Sequence, residues 1–219
     1  MLLARELEIF LLAFPALLSI INPVGGAFTF LAVARRASAT ERAAAARAIA
    51  FYGFVLLIAS LYVGAYVLEF FGVSLPVLRV GGGAVVAATA WKLLHADEPV
   101  EIEAPASARS ADLRKLAFYP LTMPITTGPG TISVAIALGT ARPGGVEGFA
   151  VFALAATAAT LANCLLIYVC YRYADRVAAR FGPTGTAIVM RLSAFLLLCI
   201  GLQVLWTGAS ELLGSMPRR

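Results

Sequence analysis

The chain has 219 residues, 61% of them hydrophobic and only 13% charged, with a net charge of +5. Ordinary soluble proteins are roughly half apolar and about a quarter charged, so a water-facing globule of this sequence would expose apolar patches that soluble monomers avoid. The surplus requires lipid, the length admits six or seven spans of ~20 residues, and the scattered basic residues form no single stripe of the kind that binds nucleic acid.

The first uncharged run covers 9–34 and follows a lead of Arg5, Glu6 and Glu8. That run is too long, and its lead too acidic, for a cleaved signal, so it is read as a retained first span. It contains the knot Ile21-Asn22-Pro23-Val24-Gly25-Gly26. A second uncharged run covers 48–68, and a third apolar segment, 70–91, carries the single charge Arg79. Residues 95–115 are polar, acidic at Asp97, Glu98, Glu101 and Glu103 and basic at Arg114 and Lys115. They are expected to form a linker.

Beyond the linker, 116–141 is uncharged and holds a second knot, Pro120-Leu121-Thr122-Met123-Pro124-Ile125-Thr126-Thr127-Gly128-Pro129-Gly130. Runs over 148–171 and 181–210 follow, the last with Arg191 as its one charge before Glu211. Long Ala/Leu stretches without alternation exclude a membrane β-barrel. The expected fold is an all-α membrane protein of six transmembrane helices. Of the Lys and Arg residues outside the spans, eleven fall on the side of the linker and four on the side of the termini. The positive-inside rule then makes 95–115 cytoplasmic and both termini periplasmic.

The halves echo each other. Phe71-Gly72 precedes Arg79-Val80-Gly81-Gly82, as Phe181-Gly182 precedes Arg191-Leu192-Ser193-Ala194, and each half opens with a knotted helix. Three helices are an odd number, so the second half must enter the membrane upside down. The expectation is an inverted 3+3 repeat, 1–94 and 116–219 about the linker, as in many secondary transporters.

Proline removes a helix hydrogen bond, and a broken helix survives in lipid only where it is buried or lines a wet cavity. Asn22 and Gly128 both fall near the middle of their runs. The half-helices after the breaks would offer N–H groups to an anion, and the carbonyls before them would suit a cation. The expected substrate site therefore comprises Asn22, Pro23, Gly25, Thr122, Thr126, Thr127, Gly128, Pro129, Gly130, Thr131 and Ser133, with Ser19 and Thr29 close by. Asn163 and Gln203 are candidates to face the same cavity. Arg79 and Arg191 are read as gates or charge partners near opposite faces, Glu69 being within reach of Arg79.

No Asp or Glu lies near the centre of a span, so a carboxylate proton relay is missing from the pattern. Cys164, Cys170 and Cys199 lack metal-ligand spacing and read as packing residues. His95 stands alone, and Gly81-Gly82-Gly83 reads as close helix packing. No HExxH, Ser–His pair or paired carboxylate suggests an enzyme, and no cofactor is expected.

Taken together, the two knots, the segment from Phe71-Gly72-Val73-Ser74-Leu75 to Arg79-Val80-Gly81-Gly82, and Arg191 followed by Gln203 resemble the MarC family of integral membrane proteins. The likeness runs from about Ile9 to Glu211. It implies six helices, outward termini, a bacterial inner membrane and transport of small neutral amino acids. One departure is Gly26-Ala27-Phe28, where relatives often carry Asn and Pro. The function expected is a secondary transporter or exporter of alanine- or glycine-like substrates, with Na+ or H+ as the coupling ion if there is one and a homo-oligomer as an open association state. The other reading is a non-transport membrane scaffold or stress-response protein.

Overall fold

The computed structural model describes residues 2–34, 37–95 and 113–215. Most of the expected linker, 96–112, lies outside them. The described residues are almost entirely helical and contain no strand. Eight α-helices run in order: α1 (Leu2–Ile21), α2 (Pro23–Val33), α3 (Ala39–Phe70), α4 (Leu75–Leu94), α5 (Leu113–Leu116), α6 (Pro129–Thr140), α7 (Val146–Arg172) and α8 (Ala174–Gly214). Between α5 and α6 lies a loosely wound segment, Ala117–Thr126.

Local chemistry places these boundaries. The hydroxyl of Ser38 accepts from the Glu41 amide while Glu41 Oε2 takes the Ser38 amide, a reciprocal cap that starts α3. The helix stops at Phe71-Gly72, where Gly72 takes a φ of 67°. Gly182 has nearly the same φ, 68°, and interrupts α8 early in its length. A positive φ is strained for residues with a Cβ and free for glycine. The Phe-Gly echo of the sequence is thus also a conformational echo.

Five helical stretches are long and apolar enough to cross a bilayer: 4–33, 39–70, 75–94, 146–172 and 184–214. A sixth crossing is added if 113–126 and 129–140, bent by 69° at their junction, form one span. The described residues thus hold five candidate spans, or the expected six where the bent pair counts as one.

Packing partners are exchanged between the halves. α1 lies on α7 as the 113–126 segment lies on α3, and α2 packs on α7 and α8 as α6 packs on α3 and α4. The remaining large contacts join α3 to α7 and α4 to α8. The main apolar core is formed by Leu17, Ile21, Phe30, Ile49, Leu57, Leu121, Cys164, Ile167 and Tyr171, among others. It encloses both breaks.

α4 and α8 run antiparallel with their backbones nearly touching. A Cβ at Gly83 would fall 2.6 Å from the Gly201 carbonyl, and one at Gly208 2.6 Å from that of Pro76. This register carries Arg79 to Glu211, and the two form an ion pair. The expected partner Glu69 belongs to the preceding helix and is not used. Sequence proximity had pointed to it, but the long-range α4–α8 contact decides the pairing.

Candidate functional site

The first knot breaks the helix without redirecting it strongly. Asn22 adopts left-handed geometry (φ 46°, ψ 62°) and caps α2, its Oδ1 accepting from the Gly25 amide at 3.2 Å. Asparagine is the non-glycine residue most at ease there, and proline at the first helical position loses no needed donor. The Asn22 Nδ2 donates to the Ser193 carbonyl of α8 at 3.3 Å. The Gly25 N–H, expected to be available to a substrate anion, is therefore taken by Asn22.

The second knot is organised differently. Tyr119 and Met123 have extended backbones, the conformation that a following proline favours. Gly128 stands at the cap of α6, also followed by proline, and lacks a side chain to serve the first amides. Of the two half-helix starts, one caps itself and the other does not. A Cβ on Gly128 would fall 2.6 Å from the Pro124 carbonyl, so this glycine permits a tight backbone approach instead of walling an open cavity.

The two breaks meet in the core. A Cβ at Gly130 would lie 3.3 Å from Ile20 Cδ1 and 1.9 Å from Val86 Cγ2, so the second knot packs against the end of α1 and against α4. Ser133 is buried over Gly82, its hydroxyl donating to the Gly130 carbonyl at 2.7 Å. On another side of the knots, the Tyr171 hydroxyl of α7 shares a 2.9 Å hydrogen bond with Thr126 and stands 2.3 Å from where a Cβ of Gly26 would be. Its ring stacks on Phe30 of α2, with centroids 5.1 Å apart. Tyr171 was not singled out from sequence. It stands in an uncharged run beside Arg172, where it reads as one more interfacial aromatic, and only the fold turns it inward.

Most hydroxyls close on their own backbone, as membrane serines and threonines commonly do. Ser19 donates to Ala16, Thr29 to Gly25, and Thr122 to Ala117. Thr131 is buried early in α6, Pro23 is buried in α2, and Pro129 is exposed. Two atoms differ. Thr127 Oγ1 and Asn163 Oδ1 are buried without a hydrogen-bond partner. Thr127 is fully buried beside Gly53 of α3, and Asn163, 1% exposed, spends its Nδ2 on the carbonyls of Phe14 and Ala159.

Gln203 is exposed on α8 and does not join this group. Arg79 is held by Glu211 at one end of α4. Arg191, exposed, lies 20 positions before Glu211 on the same helix, about 30 Å along its axis at 1.5 Å per residue. The two arginines therefore occupy opposite ends of the α4–α8 pair.

Comparison with known proteins agrees with this architecture. The profile of the MarC family of integral membrane proteins matches residues 7–213. The inner membrane protein MarC of Salmonella arizonae is 32% identical over 203 residues, covering 90% of this chain and 92% of that protein. Those of Citrobacter koseri and Escherichia coli O1:K1 are each 29% identical, with the same coverage of both chains. No solved structure matches. Matched over nearly its whole length, this multi-pass inner-membrane protein belongs to the MarC family.

Proposed function

We propose that the chain is a secondary transporter or exporter of small neutral amino acids, working by alternating access about its two broken helices. The observation that carries this reading is the pair of buried polar atoms without partners, Thr127 Oγ1 and Asn163 Oδ1, in a core that also holds both breaks. An unpartnered polar group in a low-dielectric interior is expensive, and each such group calls for a ligand, a water or an ion. The uncapped start of α6 would receive a carboxylate, and hydroxyl and carbonyl oxygens would receive an ammonium group. No enzymatic chemistry is proposed.

Alternating access needs two units that can rock. The exchanged packing partners, the proline-started half-helices after Asn22 and Gly128, and the matched φ values at Gly72 and Gly182 support reading 1–94 and 116–219 as an inverted repeat. In this scheme both termini are periplasmic. Asn22, which reaches from the cap of α2 to the Ser193 carbonyl, would report the motion of one repeat against the other.

The test is efflux and uptake of labelled alanine and glycine in liposomes containing the purified chain. Transport above empty liposomes is expected, with labelled leucine carried more slowly. Thr127→Val and Asn163→Leu should each reduce alanine transport by roughly tenfold, the loss of one polar contact worth about 1–2 kcal/mol. Normal insertion with no transport of any small neutral amino acid in either direction would favour the scaffold reading.

A further inference from the structure

Away from the knots, α3 and α7 part to form an open cleft of about 350 Å³ lined by Arg47, Ala50, Phe51, Phe54, Leu161, Cys164, Leu165 and Tyr168. That volume falls in the range of small-ligand sites. Its walls are apolar, and its polar groups gather at one end. Arg47 bounds the uncharged run of α3, and Arg172, which closes the uncharged run of α7, donates to the Tyr168 hydroxyl. Both guanidinium groups are exposed at the same edge of the helical pair.

The charge pattern is selective. Ion pairs among the described residues join Arg42 to Asp175 and Arg79 to Glu211. Arg47 and Arg172 take no part in either. A cleft with a hydrocarbon wall, Arg47 at its headgroup end and Arg172 beside it on the hydroxyl of the lining Tyr168 complements a molecule with a long apolar tail and an anionic head.

We propose that this cleft is a binding site for an anionic phospholipid, its acyl chain lying between Phe51, Phe54, Leu161 and Leu165 and its phosphate held by Arg47 and Arg172 on either side of Tyr168. Basic pockets between membrane helices select such headgroups by charge, and Arg is suited to phosphate because its planar fork can donate two bonds at once. The site is independent of the transport proposal. It takes a lipid from the bilayer side, whereas the knots face the core.

The test uses the full chain in nanodiscs of equimolar phosphatidylglycerol and phosphatidylcholine, with retained lipid read by native mass spectrometry. The parent should retain phosphatidylglycerol in excess. Arg47→Gln and Arg172→Gln should each lower that excess about fivefold, the weight of one basic side chain at an anionic surface. Arg176→Gln, at the same edge but carried by α8 and not by either helix of the cleft, should leave it unchanged. Ala50→Phe, which fills the cleft and alters no charge, should also release phosphatidylglycerol. Equal retention of the two lipids by the parent overturns the proposal, as does an Arg176→Gln loss matching that of Arg47→Gln. A dimer mass abolished by Ala50→Phe would assign the cleft to a second copy of the chain.

Discussion

Tyr171 shows how one side chain can tie two breaks together. Its hydroxyl has room only because Gly26 lacks a Cβ, and its ring is held by the stack on Phe30. Gly26→Ala should therefore destabilise the fold by about 1–3 kcal/mol through overpacking, since a fully buried, stacked tyrosine cannot swing aside. Tyr171→Phe loses one hydrogen bond, about 1 kcal/mol, and Thr126 keeps its bond to the Leu121 carbonyl. With the hydroxyl gone, the nearest atom to the new methyl becomes Cζ at 3.2 Å. The double variant should accordingly be more stable than the sum of the two single changes predicts, as contacting pairs can be. Thermal melts of the four proteins in detergent check this, and strict additivity would mean that the two residues do not touch.

At the scale of elements, the three consecutive glycines of α4 separate into three environments. Around a Cβ at Gly81 there is nothing within 4 Å; at Gly82 it would meet the Ser133 hydroxyl at 2.6 Å; at Gly83 it would meet the α8 backbone, the Leu205 amide at 2.5 Å. At Gly82 the Ser133 Cβ also stands at 2.9 Å, so that side chain must shift as a whole, whereas at Gly83 the obstacle is packed backbone. Alanine should be neutral or slightly favourable at Gly81, where helix propensity improves, moderately costly at Gly82, and disruptive at Gly83. Melting temperatures in detergent should fall in that order, and a Gly83→Ala protein as stable as the parent would refute the close crossing of α4 and α8.

The same residues mark how far sequence could lead. Gly81-Gly82-Gly83 announced close packing, but which glycine faces which helix depends on the α4–α8 register, a contact between residues more than a hundred positions apart. Both breaks were legible because proline and glycine act locally. Their difference was not. Asn22 can supply its own cap and keep the chain on course, whereas Gly128 cannot and the chain turns by 69°. Glu211 as the partner of Arg79, and Tyr171 as the bridge between the knots, likewise emerge only when distant helices are brought together.

For the whole molecule, orientation follows from charge distributed over the chain ends and loops. The edge formed by the start of α3, the ends of α4 and α7 and the start of α8 carries Arg42, Arg47, Lys92, Arg172 and Arg176. The opposite edge, at the turn between α6 and α7, carries Arg142, placed over the Tyr66 ring. Positive residues in short loops are retained on the cytoplasmic side, so the Lys92 edge should face the cytoplasm and the α6–α7 turn the periplasm. His95, exposed after the last turn of α4, and Gly144, exposed between α6 and α7, are suitable reporters for the two edges. On a background without Cys164, Cys170 and Cys199, Gly144→Cys should react with a membrane-impermeant thiol reagent in intact spheroplasts. His95→Cys should react only after the membrane is opened. The reverse pattern would place both termini in the cytoplasm and invert the direction in which each broken helix enters the bilayer. It would leave the packing of the two halves untouched, because that packing depends on contacts within the chain and not on which face of the membrane they meet.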